Sequence, residues 1–124
     1  MESKIKVLAI RPACKPEVVE IDNELKAFQS FVGGYIQVLY PWKDEVGIIC
    51  NDEGKFCGVE LNRALRNNEG KVYDIIAGDF LIAGLDGEDF GSLSDEQVER
   101  YSKRFAVPEQ FVKVDDKLLI LPIF

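Results

Sequence analysis

Histidine is absent from the chain. That excludes most Ser/His and Cys/His nucleophilic machinery and most zinc sites. Cysteine is scarce: Cys14, Cys50 and Cys57 are odd in number and show no C-x-x-C spacing, so the chain carries neither a disulfide framework nor a thioredoxin-type motif. Long apolar runs are missing too. The longest, at positions 118–124, is seven residues broken by Pro122, against about 20 for a membrane helix. The start, Met1-Glu2-Ser3-Lys4-Ile5, lacks the apolar stretch of a signal peptide. These points set the expectation of a cytoplasmic protein with reduced cysteines and no membrane partner. Basic charge is in deficit, with 15 Lys+Arg against 22 Asp+Glu and a net charge of −7. A surface of that sign repels phosphate backbones, so no direct nucleic-acid contact is expected.

What remains is a globular balance: 124 residues, 47% hydrophobic and 30% charged. The length fits a single domain, residues 1–124, which at this mass buries about two-thirds of its surface without staples. Residues 4–11 read as a β-branched strand closing at Pro12, and 17–21 as its returning partner. A helix capped by Asp22 or Asn23 should follow, with Leu25, Phe28, Phe31 and Val32 at helical spacing and Gly33-Gly34 as its exit. Residues 35–40 alternate as a strand ending at Pro41. Residues 45–50 and 56–61 read as a hairpin about Glu53-Gly54, which would set Cys50 opposite Cys57, either as two small buried apolar groups or as a pair that oxidises. Residues 62–70 read as a polar loop, and 73–85 as one or two strands around Gly78.

The second helix is the most strongly signalled element. Ser94 and Gln97 form a capping box, Leu93 staples onto Val98, Asp95 and Glu96 sit at the N-terminal end, and Lys103 and Arg104 at the other. Glu96–Arg100 and Glu99–Lys103 are favourable pairs, and Val98, Tyr101 and Phe105 supply the apolar face. A final hairpin turns at Asp115-Asp116, with Pro122 marking an edge strand whose apolar character suggests a homodimer. The fold class expected is α+β: a mainly antiparallel sheet with two helices packed on it.

Motif tests are mostly negative. Gly84-x-x-Gly87-x-x-x-Gly91 matches neither phosphate-loop pattern. Residues 86–97 approach a calcium loop but place Phe90 at the fifth position and Gln97 at the twelfth, where the bidentate glutamate belongs. Paired carboxylates abound without two different environments in one cleft. No catalytic residue, cofactor or metal is expected. The segment with chemistry is Asn62-Arg63 to Asn68. Guanidinium forks bind phosphate bidentately, and amides read base edges or ribose. Arg63, Arg66, Asn62 and Asn67, with Tyr35, Tyr73 and Trp42 as stacking rings, are the candidate site for an anionic nucleotide-type ligand; the alternative is a polar loop whose arginines pair with nearby acids.

Several runs carry a resemblance: Val32-Gly-Gly-Tyr-Ile36, Cys50-Asn-Asp-Glu-Gly-Lys55, Leu61-Asn-Arg63, Ile76-Ala-Gly-Asp79, Ser92-Leu-Ser-Asp-Glu-Gln97, Phe105 and Pro108-Glu-Gln-Phe111. Together they resemble an uncharacterised family of short proteins, a domain of unknown function, typically carried by phages, prophages and mobile elements of Gram-positive bacteria. The resemblance brings no activity and no catalytic residue. It implies a non-enzymatic accessory protein that blunts host defence, either by sequestering a nucleotide immune signal or by presenting Asp86, Glu88, Asp89, Asp95, Glu96 and Glu99 to a host nuclease as a nucleic-acid mimic. A structural accessory protein without a ligand is the third reading.

Overall fold

The computed structural model describes residues 3–54 and 59–123. Among the described residues ten strands and two helices run in the order β1 (Lys4–Ile10), β2 (Glu17–Asp22), α1 (Leu25–Val32), β3 (Ile36–Leu39), β4 (Val46–Asn51), β5 (Leu61–Arg66), β6 (Val72–Ala77), β7 (Phe80–Asp86), β8 (Asp89–Gly91), α2 (Asp95–Arg104), β9 (Glu109–Val114) and β10 (Lys117–Pro122). Pairing is antiparallel throughout. The main sheet has the order β2-β1-β7-β4-β3 with β8 on β7, and β5-β6 and β9-β10 are separate two-stranded sheets. The α+β, mainly antiparallel architecture is therefore the one the sequence pattern implies.

The three central strands are apolar on both faces, and their period-2 alternation divides the core. Ile5, Val7 and Ala9 of β1, Ile49 of β4 and Leu81 and Ala83 of β7 cluster with Phe28 and Val32 of α1. Leu8, Ile10, Val46, Ile48, Phe80 and Ile82 face the other way and cluster with Leu65 and Ile76 of the β5-β6 hairpin and with Leu93, Tyr101 and Phe105 around α2.

Three expectations need correction. Helix α1 is preceded by Glu24, which makes no side-chain cap. Asp22 instead completes β2, where it pairs with Lys4 at 3.8 Å, and the Asn23 amide donates to the Phe90 carbonyl at 3.0 Å. The exit is as expected: Gly33 takes the left-handed conformation at φ 79° and donates to the Gln29 carbonyl. Second, β4 does not hairpin with the next strand. Its neighbours are β3 and β7, with Cys50 opposite Gln37, because a strand apolar on both faces is buried best in mid-sheet. Cys57 lies outside the described residues. Third, Asn62 to Arg66 lies within strand β5, paired with β6, and the polar turn is confined to residues 67–71. The 73–85 stretch resolves into β6 and β7 about Gly78, at φ 76°. The near-calcium loop is the β7-β8 hairpin with Asp86 opposite Asp89, and Phe90 stacks edge-on against Phe28 at 5.3 Å.

Helix α2 carries the full reciprocal capping box of Ser94 and Gln97. Glu99 and Lys103 pair at 3.0 Å. Arg100 is drawn away from Glu96 to Asp44, at 2.6 Å.

Candidate functional site

A β-bulge shapes the site. The β5-β6 register slips between Leu61 and Arg63, so Asn62 opposes no residue and both Asn62 and Arg63 turn inward, at 0% and 1% exposure. The Asn62 amide spans the gap, donating to the carbonyls of Ile10 (2.9 Å) and Gly78 (2.8 Å). Arg63 reaches under the end of α2. Its Nη2 donates to the carbonyls of Phe105 (3.2 Å) and Cys14, and its Nη1 to Asn62 Oδ1 at 2.9 Å. A cation at the negative end of a helix is well placed. Among the described residues no carboxylate reaches ion-pair distance of Arg63, and its buried Nε has no hydrogen-bond partner. Burial pushes the guanidinium pKa down, partly offset by Glu109, yet a guanidinium stays charged in any protein.

Above Arg63 lies a cavity of about 380 Å³. Its floor is Arg63 to Arg66 of β5, its sides are Trp42, Tyr73 and the α2 end at Arg104 and Phe105, and its outer wall comes from the segment holding β9 and β10, including Glu109, Ile120 and Pro122. Arg66 pairs with the largely buried Glu109 carboxylate at 2.7 Å, and the other oxygen of Glu109 accepts from the Ala64 N–H at 2.9 Å. The Arg104 guanidinium lies over the Trp42 ring, 5.1 Å from its centroid. Trp42 also packs on Tyr101 (4.6 Å) and Phe105 (6.0 Å). Its ring is thus committed to packing, and the exposed Tyr73 offers the free aromatic face.

The segment carrying Trp42 is pinned by Asp44. One carboxylate oxygen accepts from Arg100 and Tyr101, both at 2.6 Å, and the other from the Glu45 N–H and the Gln97 amide. The Tyr101 hydroxyl, more than Arg100, holds the Asp44 pKa below the usual carboxylate range against the effect of burial. Burial first, then the bond to Asp44, pushes Tyr101 up to about 12.

Residues 5–106 match the family model for DUF3846, a domain of unknown function. The chain belongs to that family. The matched region of this DUF3846 chain takes in Trp42, Arg63, Arg66, Tyr73 and Arg104, whereas Glu109, Ile120 and Pro122 lie beyond it. No curated protein and no solved structure matches the DUF3846 chain.

Of the seven candidate residues, four line the one cavity: Arg63, Arg66, Tyr73 and Trp42. Asn62 is buried against backbone. Asn67 is occupied in the β5-β6 turn, where its Oδ1 accepts from the Glu69 and Lys71 N–H groups. Tyr35 stands 78% exposed at the α1-β3 junction, away from this cavity. In the sequence Arg104 reads only as a helix-end charge, and nothing marks Glu109 as a site residue. Both reach the site through contacts of long sequence separation, which leave no local signal. Chemically, the DUF3846 cavity offers three guanidinium groups against one carboxylate inside an acidic protein, with an aromatic face at its rim.

Proposed function

We propose that the protein is a non-catalytic binder of a small anionic, nucleotide-type ligand, held in the cavity between β5, the end of α2 and the C-terminal hairpin. The observation that carries this reading is the convergence of Arg63, Arg66 and Arg104 on one cavity of about 380 Å³ in a chain of net charge −7. Positive charge concentrated against the overall sign is an anion site rather than a solvated surface. Arg104 and Arg66 make the direct contacts, Arg63 supplies charge from below, and Tyr73 stacks on the base. Arginines do not exchange protons near neutral pH, so binding rather than acid–base chemistry is what such a lining serves. In the cytoplasm the role that fits is an accessory protein of a phage or mobile element that sequesters a host immune signal. The motif resemblance is what supports that setting. A homodimer through the outer edge of β10, where Leu118, Leu119 and Leu121 are each 44% exposed, is part of the same proposal.

The test is a thermal-shift panel of linear and cyclic nucleotides on the wild type and on the Arg66→Ala/Arg104→Ala double variant. A shift in the wild type that the variant loses supports the site. A flat panel, or a shift the variant keeps, overturns it. The second reading, mimicry by the acidic face, has all six of its carboxylates exposed on the β7-β8 hairpin and α2. It is weakened because Lys6 pairs with Asp95 at 2.9 Å and Lys103 with Glu99. A mimic loses its target steeply with added salt, so a nuclease complex insensitive to salt would rule it out.

A further inference from the structure

We infer that the cavity selects a doubly charged end group, a terminal phosphate monoester, over a singly charged phosphodiester; this rests on the anion-binding reading above. The charge balance of the cavity leads there. Glu109 neutralises Arg66, the two held at 2.7 Å with the carboxylate also tied to the Ala64 N–H. Among the described residues, Arg104 has no ion-pair partner and is fixed instead by the Trp42 ring. Arg63 likewise meets only carbonyl oxygens, and its buried Nε meets nothing. Carbonyl dipoles satisfy hydrogen bonds but carry no full charge, and a buried charge ordinarily has a counter-charge.

Three guanidinium groups less one carboxylate leave two uncompensated positive charges at one cavity. A diester supplies one negative charge and leaves a guanidinium unmatched in a partly desolvated site. A monoester dianion supplies both, with three oxygens for two arginine forks. Glu109 also sets the ceiling, because a third negative charge on the ligand would meet that carboxylate. It enters from β9, beyond the residues that the family model matches.

The test is calorimetric titration of the full chain with AMP and with cyclic AMP, which share base and sugar and differ by one charge. Titrations are run at about pH 7.5 and about pH 5.5, either side of the second ionisation of a phosphate monoester near pH 6. AMP is expected to bind about tenfold or more tightly than cyclic AMP at the higher pH, the range for one further hydrogen bond to a charged group. That advantage should shrink at the lower pH. Glu109→Gln, which keeps an acceptor for the Ala64 N–H, should move the preference from AMP toward ADP by about tenfold. Equal binding of AMP and cyclic AMP overturns the charge count while leaving the anion site standing. Failure of AMP, cyclic AMP and ADP alike to bind overturns the nucleotide reading and this inference with it. The wild-type comparison needs no variant, so a poorly folding Glu109→Gln protein cannot obscure the answer.

Discussion

Asp44 and Arg63 each tie together segments far apart in sequence, and each makes a distinct prediction. The Asp44 carboxylate joins the loop before β4 to three side chains of α2. Because its folded pKa is depressed, its contribution is present above the ordinary aspartate range of about 4 and is lost as pH falls through the folded value. Asp44→Asn should cost about 2 kcal/mol at neutral pH, the scale of hydrogen bonds to a charged acceptor. Acid melts of the two proteins should converge below about pH 4. An unchanged gap there would place the loss in packing instead. Tyr101 gives the opposite sign. Raised to about 12 in the fold, it stabilises below its unfolded value near 10, and that support fades as pH rises from there through the folded value. Arg63→Ala leaves the carbonyls of Cys14 and Phe105 without their donor and should cost about 3 kcal/mol. Arg66→Ala removes a half-exposed partner, and the carboxylate of Glu109 keeps the Ala64 N–H, so the loss should be smaller, about 1 kcal/mol. Chemical denaturation of the two variants separates them, and equal losses would contradict the placement of Arg63.

At the scale of elements, the most legible parts are those with local rules. The capping box of Ser94 and Gln97, the glycine exit of α1 and the turn at Asp115-Asp116 all stand where short-range chemistry put them. Ser94→Ala should cost about 1 kcal/mol, measurable as a lower denaturation midpoint; a neutral effect would mean the box is not formed in solution. What misled was long-range context. Asn62-Arg63 reads as a polar loop because both side chains are polar, but a bulge turns them inward, where they donate to the backbone carbonyls of Ile10 in β1, Gly78 before β7 and Phe105 at the end of α2. The turn signal after β4 pointed to a local hairpin, yet the apolar run Val46-Gly47-Ile48-Ile49-Cys50 is more stable between two strands than at an edge. The site was legible by residue type more than by place. Four of its members were identifiable from charge and aromaticity, while Arg104 and Glu109 become neighbours of them only when the chain folds.

Over the whole molecule, the central sheet supplies stability and its periphery supplies the cavity. α1 and one set of alternating residues form one half of the core, and α2 with the β5-β6 hairpin covers the other. The cavity opens where α2 ends and the C-terminal hairpin crosses β5, so its floor is a two-stranded sheet anchored in the core by Leu65 and Ile76, whereas its outer wall is a two-stranded sheet with no residue in a core cluster. Such an arrangement predicts that ligand protects the hairpin more than the central strands, which amide exchange would show; equal protection throughout would place binding elsewhere. The most direct test of the central claim is the thermal midpoint of the wild type and of Arg66→Ala/Arg104→Ala with and without AMP. At about a thousand times the dissociation constant a ligand adds about 4 kcal/mol, which for a domain of this size raises the midpoint by about 10 °C. That rise is expected in the wild type and none in the double variant, whereas no rise in either, or the same rise in both, would contradict an anion site formed by these arginines.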